Sequence, residues 1–348
     1  MKTVFAVLLL LAQQSGVKLP SNPETVVRGH FPTDGKPVLR VKQNQNVVID
    51  ALSHQGLNAA EGPVEFFAKG GVKREDVLKD VIDVAEKVKL PPDLGPHALT
   101  GPIYVEGAEP GDLLEVRVMD IQFRVPYGVN STGKGTGVLP DLMTEPVARI
   151  IHLDLKRRMA LFSSGIEVPL SPFMGIMAVA PPPAGTMVSS RPPGDFGGNL
   201  DLKHLTKGAT LFLPVYQSGA LFFTGDSHAA QGDGEVDGTA IEISLQPTLQ
   251  FIVHKGKGNG VKGPRAETAT HYLTIGMDRD LDNAMKAAVQ ETVSFLMKEK
   301  GLTEKEAYAL SSIGVDFRIA EAVNIVQVVY GMIPKSLFKT NPPYWYKP

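Results

Sequence analysis

Asp226 and His228 are the residues whose types and spacing best suit chemistry. They sit in Gly225-Asp226-Ser227-His228-Ala229-Ala230-Gln231-Gly232-Asp233-Gly234-Glu235, the densest polar cluster of the chain, directly after the apolar run 219–224. In an extended chain, residues two apart project from one face. A hard carboxylate oxygen and an imidazole nitrogen would meet there, a pair that suits a divalent ion such as zinc. The glycines let backbone approach a bound group closely. The competing reading is a tight polar loop whose Asp226 satisfies backbone donors. A nucleophilic reading also exists, because the stretch is one residue from a Gly-x-Ser-x-Gly elbow with Ser227 as nucleophile. An elbow needs a strand, a sharp turn and a helix, and Gln231-Gly232-Asp233-Gly234 is a poor helix start.

Other signals close on inspection. Gly128 to Lys134 has the spacing of a phosphate loop, but Gly135 stands where a Ser or Thr must bind magnesium, and no helical pattern follows. Asp233 to Gly238 begins like a calcium loop, yet its twelfth position is Ser244 where a bidentate Glu is needed. The chain has no cysteine, which removes disulfides, thiolate metal sites and cysteine nucleophiles together. Its 35 Lys and Arg against 37 Asp and Glu leave a net charge of -2. Without a basic surplus to neutralise phosphates, nucleic acid is not an expected partner. Asp50 ends an apolar strand with His54 and Gln55 just beyond, and Glu106 follows the strand at 103–105; alone, each acid reads as a turn-former or surface carboxylate. His152, His204, His254 and His271 are isolated. The Gly-rich loop from Arg191 to Asp201, which contains Asp195 and Asn199, could line a pocket.

The elements that must hold these residues are mostly strands. A length of 348 residues suggests two or three domains, and 35 Gly with 27 Pro signal many turns. Alternation predicts two strands within 37–50 and others at 103–106, 113–122, 147–153, 159–162, 174–179, 209–216, 219–224, 238–246 and 248–254. The segment 125–137 reads as a long loop. Val77, Val81, Val84 and Val88 share one face of a helix at 73–88, closed by Pro91-Pro92. Helical spacing returns from Leu281 to Lys300, where Gly301 stops it, and Thr303 to Glu306 forms a capping box for another helix. A third short helix or strand covers 320–329. The expected fold is mainly β, a sandwich or jelly roll with an α+β C-terminal portion, and no doubly wound sheet. Met1-Lys2-Thr3 and the apolar run 4–12 fit a secretory signal peptide, too short to span a bilayer. The expected division is a signal peptide at 1–16, a mainly β catalytic region at 17–265 with a helical insertion near 73–90, and an α+β portion at 266–348. Export to the periplasm or outside follows, with no membrane span in the mature chain.

Four blocks together resemble the acetamidase/formamidase family, metal-dependent hydrolases of small amides. They are GPIYVEGAEPGDLLEV at 101–116, MAVAP at 177–181, the stretch from GGNLDLKHLTKG to GEVDGTAIEI at 197–243, and DFRIAEAVNIVQVVYGMIPK at 316–335. The match at 47–55, VVIDALSHQ, is weaker. The resemblance implies a jelly-roll sandwich with a smaller barrel-like part, oligomeric assembly, and hydrolysis of a linear C–N amide bond to carboxylate and ammonia. Carried over position by position, it implies that Asp50, Asp226 and His228 hold a divalent metal, zinc or else calcium, with Glu235 close by. Glu106 is placed close to the site as well, and the mechanism expected from these residues makes it the general base beside catalytic Asp226 and His228, with Gln55, Gly198 and Asn199 as substrate-orienting groups. The rival reading is an exported jelly-roll module that binds a small polar ligand or metal without turnover.

Overall fold

The computed structural model describes residues 16–183 and 187–339; the leader run 4–12 lies outside them. Two large sheets stack face to face. One has nine strands in the order Val17–Leu19, Asn46–Ile49, Leu245–His254, Leu113–Phe123, Thr210–Pro214, Arg265–Glu267, His271–Asp278, Gln327–Pro334 and Asp316–Glu321. The other runs Gly197–Asn199, Phe173–Ala178, Phe222–His228, Ala98–Val105 and Val26–Arg28, with Leu39–Val41 added in parallel to Ala98–Val105. Their inner faces share one apolar core, in which the fully buried rings of Phe222 and Phe251 meet edge to face at 4.9 Å between centroids. No sheet closes into a barrel among the described residues. In place of a barrel-like part stands an antiparallel four-stranded sheet of Tyr127–Thr132, Val147–Asp154, Met159–Ser163 and Ile166–Pro169.

The expected C-terminal helices form where the pattern placed them. Helix Leu281–Lys300 starts at Asp280, whose carboxylate accepts from the Asn283 N–H, and ends at Gly301 with φ 69°. Thr303 and Glu306 make both bonds of the capping box that opens helix Glu304–Gly314. The long helix lies close on the nine-stranded sheet, because Gly276 has no side chain. A Cβ there would come within 2.1 Å of the Ala288 nitrogen. The sheet runs without a break through Arg265–Glu267, which pairs with Thr210–Pro214 on one side and His271–Asp278 on the other. The segment 320–329 contributes to two strands and no helix. The region near 73–88 is a short turn at Arg74–Asp76 and helix Lys79–Lys87, preceded by a helix at Pro63–Ala68 that periodicity did not reveal. Residues 127–132, expected as loop, are a strand paired with Val147–Asp154. Among the described residues no helix is long and apolar enough to cross a membrane.

Strands Phe173–Ala178 and Phe222–His228 are buried at every position. Polar side chains in such a strand are costly unless partnered. Thr224 donates its hydroxyl to the Ile176 carbonyl at 2.9 Å, and Ser227 donates to Ile243 at 2.6 Å. Asp226 and His228 have no such backbone partner, and they mark the site.

Candidate active site

Register brings the polar residues together. Strand Phe222–His228 runs antiparallel to Ala98–Val105, with Gly225 opposite Leu99, so His97 arrives beside Asp226. On its other side lies Phe173–Ala178, paired in turn with Gly197–Asn199, which delivers Asn199 and Asp201. His54 comes from the loop after Asn46–Ile49, while Glu235 and Glu242 come from the segment following His228. Asp201, Asp226 and Glu235 hold left-handed backbone at φ 46°, 49° and 45°. That conformation is uncommon outside glycine and concentrates at functional sites.

The result is an acidic, imidazole-containing floor beneath an open cavity of about 760 Å³. Asp226 Oδ1 lies 3.3 Å from His54 Nδ1, and its Oδ2 lies 3.7 Å from His97 Nε2 and 3.5 Å from His228 Nε2. His228 Nε2 is also 3.1 Å from Glu242 Oε1 and 4.0 Å from Glu235 Oε1. Asp201 Oδ1 is 3.9 Å from the other ring nitrogen of His228. Three groups could each hold an ion: His54, His97 and Asp226; Asp201, His228 and Glu235; and Asp226, His228 and Glu242.

The ionisation states point the same way. Burial opposes charge on Asp226, but facing His97 and His228 hold its carboxyl well below the usual range. Burial, then the charge of Asp226, pushes Asp201 well up; burial, then Asp201, does the same to Glu235. Burial also drives His97 down to about 4. Carboxylates this close cannot all ionise without a counter-charge. Moreover His54 Nδ1, Asp201 Oδ1, Asp226 Oδ1, His228 Nε2 and Glu242 Oε2 are buried with no hydrogen-bond partner. Imidazole nitrogens and carboxylate oxygens left open in one place are a donor set that fits a divalent cation.

Gln231 orients the His228 ring. Its amide nitrogen donates to the carbonyls of Asp201 at 2.9 Å and Ala320 at 3.1 Å, so its oxygen must face His228 Nδ1, 3.0 Å away. Nδ1 therefore bears a proton, and Nε2 is the nitrogen left to face an ion. Burial opposes charge on the ring, but Glu242 and Asp226 hold its proton affinity well above the ordinary value, so an ion there must displace the Nε2 proton. Gln231→Leu is expected to weaken metal binding about 10–100-fold. Competition with a chromophoric chelator checks this, alongside an unchanged circular-dichroism spectrum.

Of the residues singled out in the sequence, Asp226, His228, Gln55 and Asn199 come to this place; Gln55 donates to Ser131 at 2.8 Å. Gly198 is buried in its strand against the Phe196 ring and does not line the cavity. Asp50 is not a ligand here. Its carboxylate is taken by Gln246 at 2.6 Å and Lys18 at 3.1 Å, on the nine-stranded sheet. Glu106 is not the base. It is exposed in the turn after Ala98–Val105, while His97 enters at the opposite end of that strand, up to roughly 30 Å away at 3.3 Å per residue. Glu106→Gln should leave turnover within the roughly ±0.5 kcal/mol of an ordinary surface change, measured as kcat/KM. Ser227 is fully buried with its hydroxyl spent on Ile243, and no helix follows it, so no elbow forms. The donors of the calcium-like stretch diverge: Asp233 pairs with Lys203 at 2.9 Å, whereas Glu235 turns inward. His97 and Glu242 were missed, since an isolated histidine and an acid in an alternating stretch carry no local signal. Asp201 stood at the end of the loop expected to line a pocket.

Comparison with known proteins agrees with this architecture. The model of the acetamidase/formamidase family matches residues 64–190 and 184–340. A formamidase of Methylophilus methylotrophus is 29% identical over 255 residues, covering 56% of this chain and 60% of the relative. An acetamidase of Mycolicibacterium smegmatis is 28% identical over 227 residues, covering 48% and 54%. The chain thus spans little more than half the length of these curated relatives. Among solved structures, a recombinant predicted acetamidase/formamidase from the thermophile Thermoanaerobacter tengcongensis superposes with TM-score 0.76 at 27% identity, over 93% of this chain and 97% of that one. An acetamidase from Bacillus halodurans gives 0.74 at 28%, over 93% and 99%.

Proposed function

The chain belongs to the acetamidase/formamidase family, and from that premise we propose that it hydrolyses linear amides. The reaction is R–CO–NH2 + H2O giving R–COO⁻ + NH4⁺: the C–N bond breaks, a C–O bond forms, and both protons of the water go to the departing nitrogen. The observation that supports it is the set of open, buried donors on His54, Asp201, Asp226, His228 and Glu242 beneath a solvent-reaching cavity. Asp226, His228 and Glu242, with His54 and His97 at hand, would hold a divalent ion. The imidazole share favours zinc over calcium, which prefers oxygen alone. Such an ion lowers the pKa of a coordinated water and polarises a carbonyl, the two aids an amide needs.

The chain's own residues supply the rest. Glu235 lines the cavity, and burial, then Asp201, raises its proton affinity. With an ion's charge beside it to restore the carboxylate, its Oε1 would take a proton from water and pass it to the leaving nitrogen. Asn199 is buried, and its Oδ1 accepts no hydrogen bond within the protein. It offers an acceptor to the N–H of a primary amide and sets which way the substrate lies. Ammonia release from formamide, acetamide and pentanamide, by protein stripped with chelator and then reloaded with zinc, tests the reading. Turnover that appears only on reloading is the expected result. A loaded protein inert towards every amide would instead make the chain a binding module.

A further inference from the structure

The cavity is far larger than a two-carbon amide requires: about 760 Å³, within the roughly 300–1,000 Å³ of clefts that enclose drug-sized ligands. Its rim carries five charged side chains, Glu61, Lys69, Lys134, Arg191 and Asp237. Three are already engaged. Lys69 pairs with Glu61, and Asp237 accepts from the Asn130 amide at 2.9 Å and from the Thr239 N–H at 3.2 Å. Lys134 and Arg191 have no carboxylate partner among the described residues. Two cations without an ion pair, against the single remaining charge of Asp237, thus line the cavity that holds the floor of acids and imidazoles.

The backbone that carries Arg191 is held firmly, and its side chain is exposed. The Ser190 N–H donates to the Gly29 carbonyl at 2.9 Å, and the Ser190 hydroxyl bonds His97 Nδ1 at 2.9 Å. Pro192 and Pro193 follow, restricting Arg191 itself to extended backbone. The guanidinium thus stands on a stiff platform that continues into the floor, close enough for its charge to act on His97. Phe66, Val147 and Ile150 add apolar surface to the lining.

We propose that the substrate is a linear primary amide whose far end carries a carboxylate, bound with its amide at Asn199 and the Asp226–His228 floor and its carboxylate at Arg191, with Lys134 adding charge. This rests on the amidase reading above and names its substrate class. Water adds across the C–N bond of the half-amide, giving a dicarboxylate and ammonium. Arginine suits the task because its planar fork takes a carboxylate in two parallel hydrogen bonds.

The test compares the monoamides of succinic, glutaric and adipic acid with neutral amides of equal chain length, such as pentanamide for glutaramate, using zinc-loaded full chain. For at least one length, kcat/KM for the carboxylate amide should exceed that of its neutral partner about tenfold or more, the range of a charge-assisted hydrogen bond. Arg191→Ala should bring that ratio towards one through KM, Arg191→Lys should restore part of it, and raising salt should shrink it. A ratio of one or less at every length, or one indifferent to both Arg191→Ala and Lys134→Ala, overturns the proposal. If no amide is cleaved, pentanamide included, the amidase reading falls, and glutarate binding by calorimetry decides the charge preference. Binding weakened about tenfold by Arg191→Ala upholds the carboxylate site, and an absence of binding removes it.

Discussion

Asp226→Asn should abolish amide hydrolysis, by about 10³-fold or more, while the protein stays folded. Asp226 is the one side chain that approaches His54, His97 and His228 at once. Asparagine has the same shape and tolerates the left-handed backbone that Asp226 adopts at φ 49°. The change therefore removes the charge and little else. A single oxyanion donor or general base is worth about 10²–10⁴ in rate, and a residue shared by ligand, charge and orientation should lie at the upper end. His228→Ala is a less clean probe. Its ring is fully buried, edge-on to Phe173 at 5.0 Å, so truncation opens a cavity and costs roughly 2–4 kcal/mol of stability on top of the ligand. Although His228 follows the apolar run 219–224 within a polar cluster, the strand is buried to its last residue. Steady-state ammonia release, with circular dichroism on each variant, separates the two effects. An Asp226→Asn protein that keeps a tenth of its activity would show that this carboxylate is peripheral.

The second large effect is on stability. Asp201, Asp226, Glu235 and Glu242 are all buried within one cluster, and without a cation they repel one another. An ion that binds only the folded chain adds about 4 kcal/mol at a thousandfold excess over its Kd, a rise of roughly 5–10 °C in Tm for a chain of this size. Scanning calorimetry on stripped protein, with and without zinc, should show that rise. The same scan on Asp226→Asn should show most of it gone. An identical Tm in chelator and in zinc would mean that the acids are settled by protonation and hydrogen bonds alone.

How far the sequence could be read depended on whether a feature was local. The capping box at Thr303 and Glu306, the stop at Gly301 and the pair Asp226 and His228 are written in neighbouring residues, and each appears where spacing put it. The four family blocks likewise led to the sandwich. What failed was long-range. Asp50 ends its strand as expected, but Gln246 on the adjoining strand claims its carboxylate, and the chain turns for four more residues before His54 reaches the cluster. Glu106 and His97 bracket one strand, and only the register against Phe222–His228 reveals which end meets the site. Residues 127–132 read as loop from their glycine, serine and threonine. Pairing with Val147–Asp154, and a bridge from Val129 to Glu242, makes them a strand.

The central claim is that the buried acids and imidazoles around Asp226 hold the ion that hydrolysis requires. Anomalous diffraction at the zinc edge, from crystals of protein stripped and reloaded with zinc, tests it most directly. A strong peak is expected among His228 Nε2, Glu242 and Asp226, with ligand distances near 2.0–2.2 Å. A peak only at Asp50, Glu106 or the exposed histidines, with the Asp226 cluster empty at full loading, would contradict it.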